Sequence, residues 1–134
     1  MDHSPRFLKL SEEARRHVTE ITADELLKRQ SRGQTELLHL LDVREDHEWQ
    51  AGHIPGARHL GRGVLERDIE VAIPDVDATI VLYCGGGYRS ALAAESLQRM
   101  GYRRVYSLAG GFRGWHDAGR PIAPTEPSLE RPAH

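Results

Sequence analysis

Cysteine is almost missing from this chain: Cys84 is the one thiol among 134 residues. A single thiol excludes an internal disulfide and an internal resolving thiol, so any group carried on that sulfur must be handed to an acceptor outside the chain. An excess of charge is missing too. Eighteen Lys and Arg against 20 Asp and Glu leave a net charge of −2, which gives no electrostatic reason to expect nucleic acid as a partner. The Arg103-Arg104 pair and the Arg15-Arg16-His17 cluster accordingly read as solvated surface. No apolar run approaches transmembrane length and the first ten residues lack a signal peptide's apolar region, so no membrane partner and a cytoplasmic location are expected. There is no internal duplication. No cofactor or metal ion is expected, and the dinucleotide fingerprint Gly-x-Gly-x-x-Gly does not occur, since Gly61-Arg-Gly63 lacks the third glycine and a preceding long strand.

What is present is concentrated around the thiol. Ile80-Val-Leu-Tyr83 is apolar without alternation, as in a strand covered on both faces of a parallel sheet. It stops at Cys84, and Gly85, Gly86 and Gly87 follow. Without Cβ atoms these glycines allow positive φ, so the backbone can turn several N–H groups inward around one point. From Ser90 to Met100 the apolar spacing is helical, with Gly101 as the stop signal. The start of that helix turns its free N–H groups and partial positive charge toward the sulfur. Together with the Arg89 cation they should favour thiolate over thiol. Arg89, read as the last loop residue, should hydrogen-bond loop carbonyls and favour an anionic donor. Tyr88 is expected to line the pocket mouth. A buried structural cysteine is the plain alternative, but three consecutive glycines and an arginine have no packing role to explain them there.

Three segments in order, Leu41-Asp-Val-Arg-Glu-Asp-His-Glu-Trp-Gln-Ala-Gly-His-Ile-Pro-Gly-Ala57, Cys84-Gly-Gly-Gly-Tyr-Arg-Ser90 and Leu108-Ala-Gly-Gly-Phe-Arg-Gly-Trp-His-Asp-Ala-Gly-Arg-Pro121, resemble the single-domain rhodaneses. The resemblance covers residues 18 to 122. It implies a sulfurtransferase whose cysteine accepts sulfane sulfur as a persulfide, with a donor such as thiosulfate and a thiol, cyanide or protein as acceptor. A sulfur carrier or interaction module with little small-molecule turnover is the alternative from another class. The resemblance also bears on phosphatases and arsenate reductases of this fold, which use a loop one residue longer than the six residues from Cys84 to Arg89. A phosphatase would further need a general acid in or beside its loop, and the three glycines supply none.

Along the chain, strands alternate with helices, as in an α/β sheet; the resemblance implies a central, mostly parallel five-stranded sheet with helices on both faces. The expected elements are a lead-in helix over 7–16, a strand over 18–21, a helix opened by the capping box of Thr22 and Glu25 and reaching Gln30, and a strand over 37–43. Next come a short helix over 45–50, a strand over 57–60 and a helix over 63–71. After the Ile80 strand and the Ser90 helix, a strand over 105–108 and a helical turn over 112–117 complete the domain. Residues 1–17 form a lead-in segment, and the proline-rich stretch 123–134 reads as a flexible tail. Asp42 and Arg44, at the end of the second strand, can approach the active loop from the side, Asp42 accepting loop or backbone N–H groups and Arg44 holding substrate charge. For Arg44 an internal ion pair with Glu48 is the preferred reading. His53 is read as a structural hydrogen-bonding residue rather than a base for Cys84, and Phe112 and Trp115 as core.

Overall fold

The computed structural model describes residues 3–31 and 38–124. In chain order the elements are α1 (Pro5–Arg15), β1 (Thr19–Ile21), α2 (Ala23–Ser31), β2 (Leu38–Asp42), α3 (Asp46–Gln50), β3 (Arg58–His59), α4 (Leu65–Ala72), β4 (Thr79–Tyr83), α5 (Tyr88–Arg99), β5 (Arg104–Leu108) and α6 (Gly111–Asp117). The strands lie in the order β1-β5-β4-β2-β3, and every pairing is parallel. Each expected element is present, with ends shifted by one or two residues. Position 37, expected in β2, lies outside the described residues, as do positions 125–134 of the expected tail.

The unalternated run of β4 is explained by its place at the centre of the sheet. All five of its residues are buried. Side chains alternate across a strand, so Ile80 and Leu82 face α4 and α5 through Leu65, Ile69, Ala94 and Leu97, while Val81 and Tyr83 face Leu26 of α2 and Trp115 of α6. Helices therefore cover both faces, as parallel strands require. The capping box forms as its spacing predicts: the Glu25 N–H donates to Thr22 Oγ1 at 3.1 Å and the Thr22 N–H to Glu25 Oε1 at 3.2 Å. No helix among the described residues is long and apolar enough to cross a membrane.

The segment read as a tail starts one step too early. Ala123 bridges to His53, each N–H donating to the other's carbonyl at 2.8–2.9 Å, which fastens the chain beyond α6 to the Gly52–Gly56 turn. That turn is anchored from below by Tyr83, whose hydroxyl oxygen accepts the Ile54 N–H at 3.0 Å. Burial first, and then the Asp42 carboxylate nearby, push the Tyr83 phenol far above its ordinary range, so it stays neutral. Tyr83→Phe leaves the buried Ile54 N–H without a partner and should lower stability by about 1–3 kcal/mol in urea unfolding. A change below about 0.5 kcal/mol would show that another group satisfies that N–H.

Candidate functional site

Cys84 follows the last residue of β4, at the carboxyl end of the central strand, where ligands of open α/β sheets bind. Its side chain is 1% exposed. The Gly87 N–H donates to Sγ at 3.1 Å, and Gly87 is the residue that caps α5. The sulfur thus sits against the positive end of a 12-residue helix. On its other side Sγ lies 3.5 Å from Ser90 Oγ, which is 2.8 Å from Ser107 Oγ. Both serines are fully buried. Ser107, on β5, has no signal in the sequence, since a lone serine in a strand belongs to no pattern.

The three loop glycines are not equivalent. Gly87 alone among them has positive φ, +97°. At Gly85 a Cβ would stand 3.1 Å from Arg89 Nη2, so its absence lets that guanidinium lie across the loop. At Gly86 a Cβ would meet the Tyr88 ring at 3.5 Å, an ordinary contact. Because Gly87 completes the turn, α5 starts at Tyr88. Tyr88 and Arg89 are helical, not the end of the loop.

Arg89 does not bind loop carbonyls. It forms a forked pair with Glu48 of α3, Nη1 to Oε1 at 2.8 Å and Nη2 to Oε2 at 3.1 Å. The carbonyls of Cys84 and Gly85 instead accept the N–H groups of Phe112 and Arg113, at 2.8 and 2.9 Å, from the first turn of α6. Glu48 also accepts the Glu45 N–H at 3.1 Å. Chiefly through the Arg89 hydrogen bonds, its carboxyl is held at about 2. Glu48 therefore stands beside the loop as a carboxylate rather than an acid.

The Arg44–Glu48 pair expected from helical spacing does not form either, since Arg44 lies before α3 and turns back to Asp42. Arg44 Nη2 donates to Asp42 Oδ2 at 2.8 Å and Nε to Oδ1 at 3.0 Å, and the Arg44 N–H donates to the same Oδ1 at 2.9 Å. The guanidinium also reaches the Gly52 carbonyl at 2.7 Å and lies 4.1 Å from the Phe112 ring centroid. Asp42 is fully buried and Arg44 4% exposed, so this pair braces β2 against the Gly52–Gly56 turn. His53 stacks on Trp49 with ring centroids 3.6 Å apart. Trp115 is core at 2% exposure, whereas Phe112 is only partly buried and roofs Arg44.

Above the sulfur opens a cavity of about 330 Å³. Cys84, Gly85 and Gly86 line it together with Tyr88, Glu48 and Arg113, and His3 and Phe7 close one side. Tyr88 borders the cavity with its ring. The contribution of the lead-in segment was not legible, because nothing in its pattern points to the loop. Among the described residues no group of His, Cys, Asp and Glu is arranged to hold a metal ion.

Residues 22–118 match the family described as "Rhodanese-like domain". Thiosulfate sulfurtransferase GlpE of Vibrio cholerae is 36% identical over 84 residues, which make up 63% of this chain and 77% of that protein. The uncharacterized protein YqhL of Bacillus subtilis is 40% identical over 77 residues, 57% of this chain. The match spans 59% of YqhL's own length. A solved structure from Rhodopseudomonas palustris, a protein of unknown function described as a possible tyrosine phosphatase, superimposes with a TM-score of 0.78 at 32% identity, covering 92% of this chain and 99% of that one.

Two outcomes test this site. Gly111 opens α6 with φ +56°, and a Cβ there would lie 2.5 Å from the Cys84 carbonyl oxygen and 2.8 Å from that of Gly85. Gly111→Ala should destabilise by about 2–4 kcal/mol through strain and overpacking. Gly114→Ala, in the same helix with open space around its Cβ, should be neutral or stabilising by up to about 1 kcal/mol. Equal effects in urea unfolding would show that the α6 clamp on the loop is not what Gly111 protects. The second outcome concerns acid. Glu48 titrates lower when folded than its ordinary 4.5, so its contribution is complete above that pH and is lost as pH falls toward about 2. With a quarter of its side chain in solvent, screening leaves that contribution at about 1–2 kcal/mol. Glu48→Gln should therefore be less stable at neutral pH and lose less than the wild type on acidification through that window, measured by unfolding at each pH.

Proposed function

The chain belongs to the rhodanese-like domain family, and from that membership and the surroundings of Cys84 we propose a sulfurtransferase that carries sulfane sulfur on Cys84. The supporting observation is a lone thiol at the end of the central strand, facing a helix N-terminus and opening to a cavity. With thiosulfate, the Cys84 thiolate attacks the outer sulfur, the S–S bond of the donor breaks, and its bonding pair leaves with sulfite. Cys84 then carries a persulfide anion. A thiol or cyanide attacks the terminal sulfur, and the Cys84 thiolate is released as leaving group for the next cycle.

In this reading Gly87 supplies the N–H that faces negative charge on sulfur, aided by the α5 N-terminus. Ser90 orients the sulfur from the opposite side, backed by Ser107. Gly85 and Gly86 keep the approach clear, and Tyr88 borders it. Arg89 acts through Glu48 to hold α3 against the loop, and the Asp42–Arg44 pair supports the same wall from β2. The acceptor, small molecule or protein, comes from outside, since no second thiol exists in the chain.

A phosphatase reading, raised by the Rhodopseudomonas palustris structure's description, needs a protonated acid beside the thiolate. The carboxyl that lines the cavity, Glu48, is held ionised by Arg89. Mass spectrometry decides between them. Thiosulfate should add one sulfur atom to the chain, cyanide should remove it as thiocyanate, and Cys84→Ser should take up none. Retention of the added sulfur in the serine variant would end the persulfide mechanism, and turnover of an aryl phosphate by the wild type would favour phosphoryl transfer.

A further inference from the structure

The family match begins at residue 22, yet the cavity over Cys84 is walled on one side by residues 3 and 7. His3 precedes α1, and Phe7 lies in its first turn. Their rings form a tilted cluster with Tyr88, with centroids 4.4 Å apart for His3–Tyr88, 5.4 Å for His3–Phe7 and 6.2 Å for Phe7–Tyr88. From within α1, Arg15 lies 4.7 Å from the centroid of the Tyr88 ring and fixes it from a third direction. All three rings are only half-buried, so part of each remains open. Across the cavity the cations differ. Arg89 is neutralised by Glu48, but Arg113 is exposed and forms no ion pair among the described residues, its Nη1 reaching the side of Gly86.

At about 330 Å³ the cavity falls within the roughly 300–1,000 Å³ range of small-molecule pockets and has room for more than the thiosulfate ion. We propose that the α1 aromatic wall and Arg113 make this pocket selective for sulfane donors that carry a flat apolar group beside an anionic sulfur head, such as an arenethiosulfonate. This rests on the sulfurtransferase reading and names its donor class. The ring of the donor lies against His3, Phe7 and Tyr88, and its anionic group faces Arg113. In the transfer the Cys84 thiolate bonds to the terminal sulfur, the S–S bond of the donor breaks, and the arenesulfinate leaves with the bonding pair. No oxidant or reductant is required.

Three donors with the same cyanide acceptor test this: thiosulfate, methanethiosulfonate and benzenethiosulfonate. In the wild type, kcat/KM for benzenethiosulfonate should exceed that for methanethiosulfonate by about tenfold or more, the upper range of one aromatic contact. Phe7→Leu keeps an apolar packing residue on α1 but removes the flat ring, and should reduce that ratio at least threefold. Phe7→Tyr should restore it. Arg113→Gln should weaken both thiosulfonates together and leave their ratio within twofold. A wild-type ratio near one, or a high ratio that Phe7→Leu does not move, overturns the aromatic wall while leaving the sulfurtransferase intact. If none of the three donors adds sulfur to Cys84 by mass, the sulfurtransferase reading itself fails, and the donor class with it.

Discussion

The carbonyls of Cys84 and Gly85 are held by the first free N–H groups of α6, and the rest of the sulfur site takes its position from that clamp. A glycine-rich loop on its own has many conformations, and ordering it is entropically expensive. Two backbone hydrogen bonds from a helix N-terminus remove most of that freedom without placing a side chain near the sulfur. The close approach is bounded by Gly111, where no Cβ fits. With those carbonyls engaged, the Gly87 N–H is left to meet the sulfur, and α5 can begin at Tyr88.

That backbone solution changes what the arginines do. A cation beside a thiol invites the assumption that it stabilises the thiolate directly. Here Arg89 is matched by Glu48 and Arg44 by Asp42, each through forked hydrogen bonds. Such pairs gain geometric definition more than net charge. They tie α3 to the start of α5 and β2 to the Gly52–Gly56 turn, which surround the loop. The groups that meet the sulfur directly are the Gly87 N–H at the start of α5 and the Ser90 hydroxyl.

The sheet was legible because its signals are local. The apolar run of β4, the Thr22–Glu25 box and the helical spacing after Ser90 each depend on residues a few positions apart, and each formed within one or two residues of expectation. The position of Cys84 at a strand end followed from the same patterns. Pairings across the chain were not legible. Glu48 and Arg89 are 41 residues apart, so helical spacing offered Arg44 as the nearer partner for Glu48. Arg44 was instead taken by Asp42, two residues away, a spacing that a helix forbids and a strand end allows. Ser107 reaches Ser90 only because β4 and β5 are neighbours. The order of strands, absent from local pattern, decides such contacts.

The distribution of these features over the chain separates two layers of the site. The hydrogen-bond partners of the sulfur, Gly87 and Ser90 with Ser107 behind it, lie within the span matched by the family. The far wall of the cavity does not: it comes from α1, which packs on α5 and carries Phe7 to the Tyr88 ring. Arg15 of α1 stands 3.2 Å from where a Cβ at Gly87 would lie and 4.7 Å from the Tyr88 ring centroid, while the loop carbonyls themselves are held by α6. The backbone hydrogen bonds around Cys84 and the rings that lie over its cavity thus come from different segments of the chain, the first from the β4–α5 loop and α6 and the second from His3 and α1.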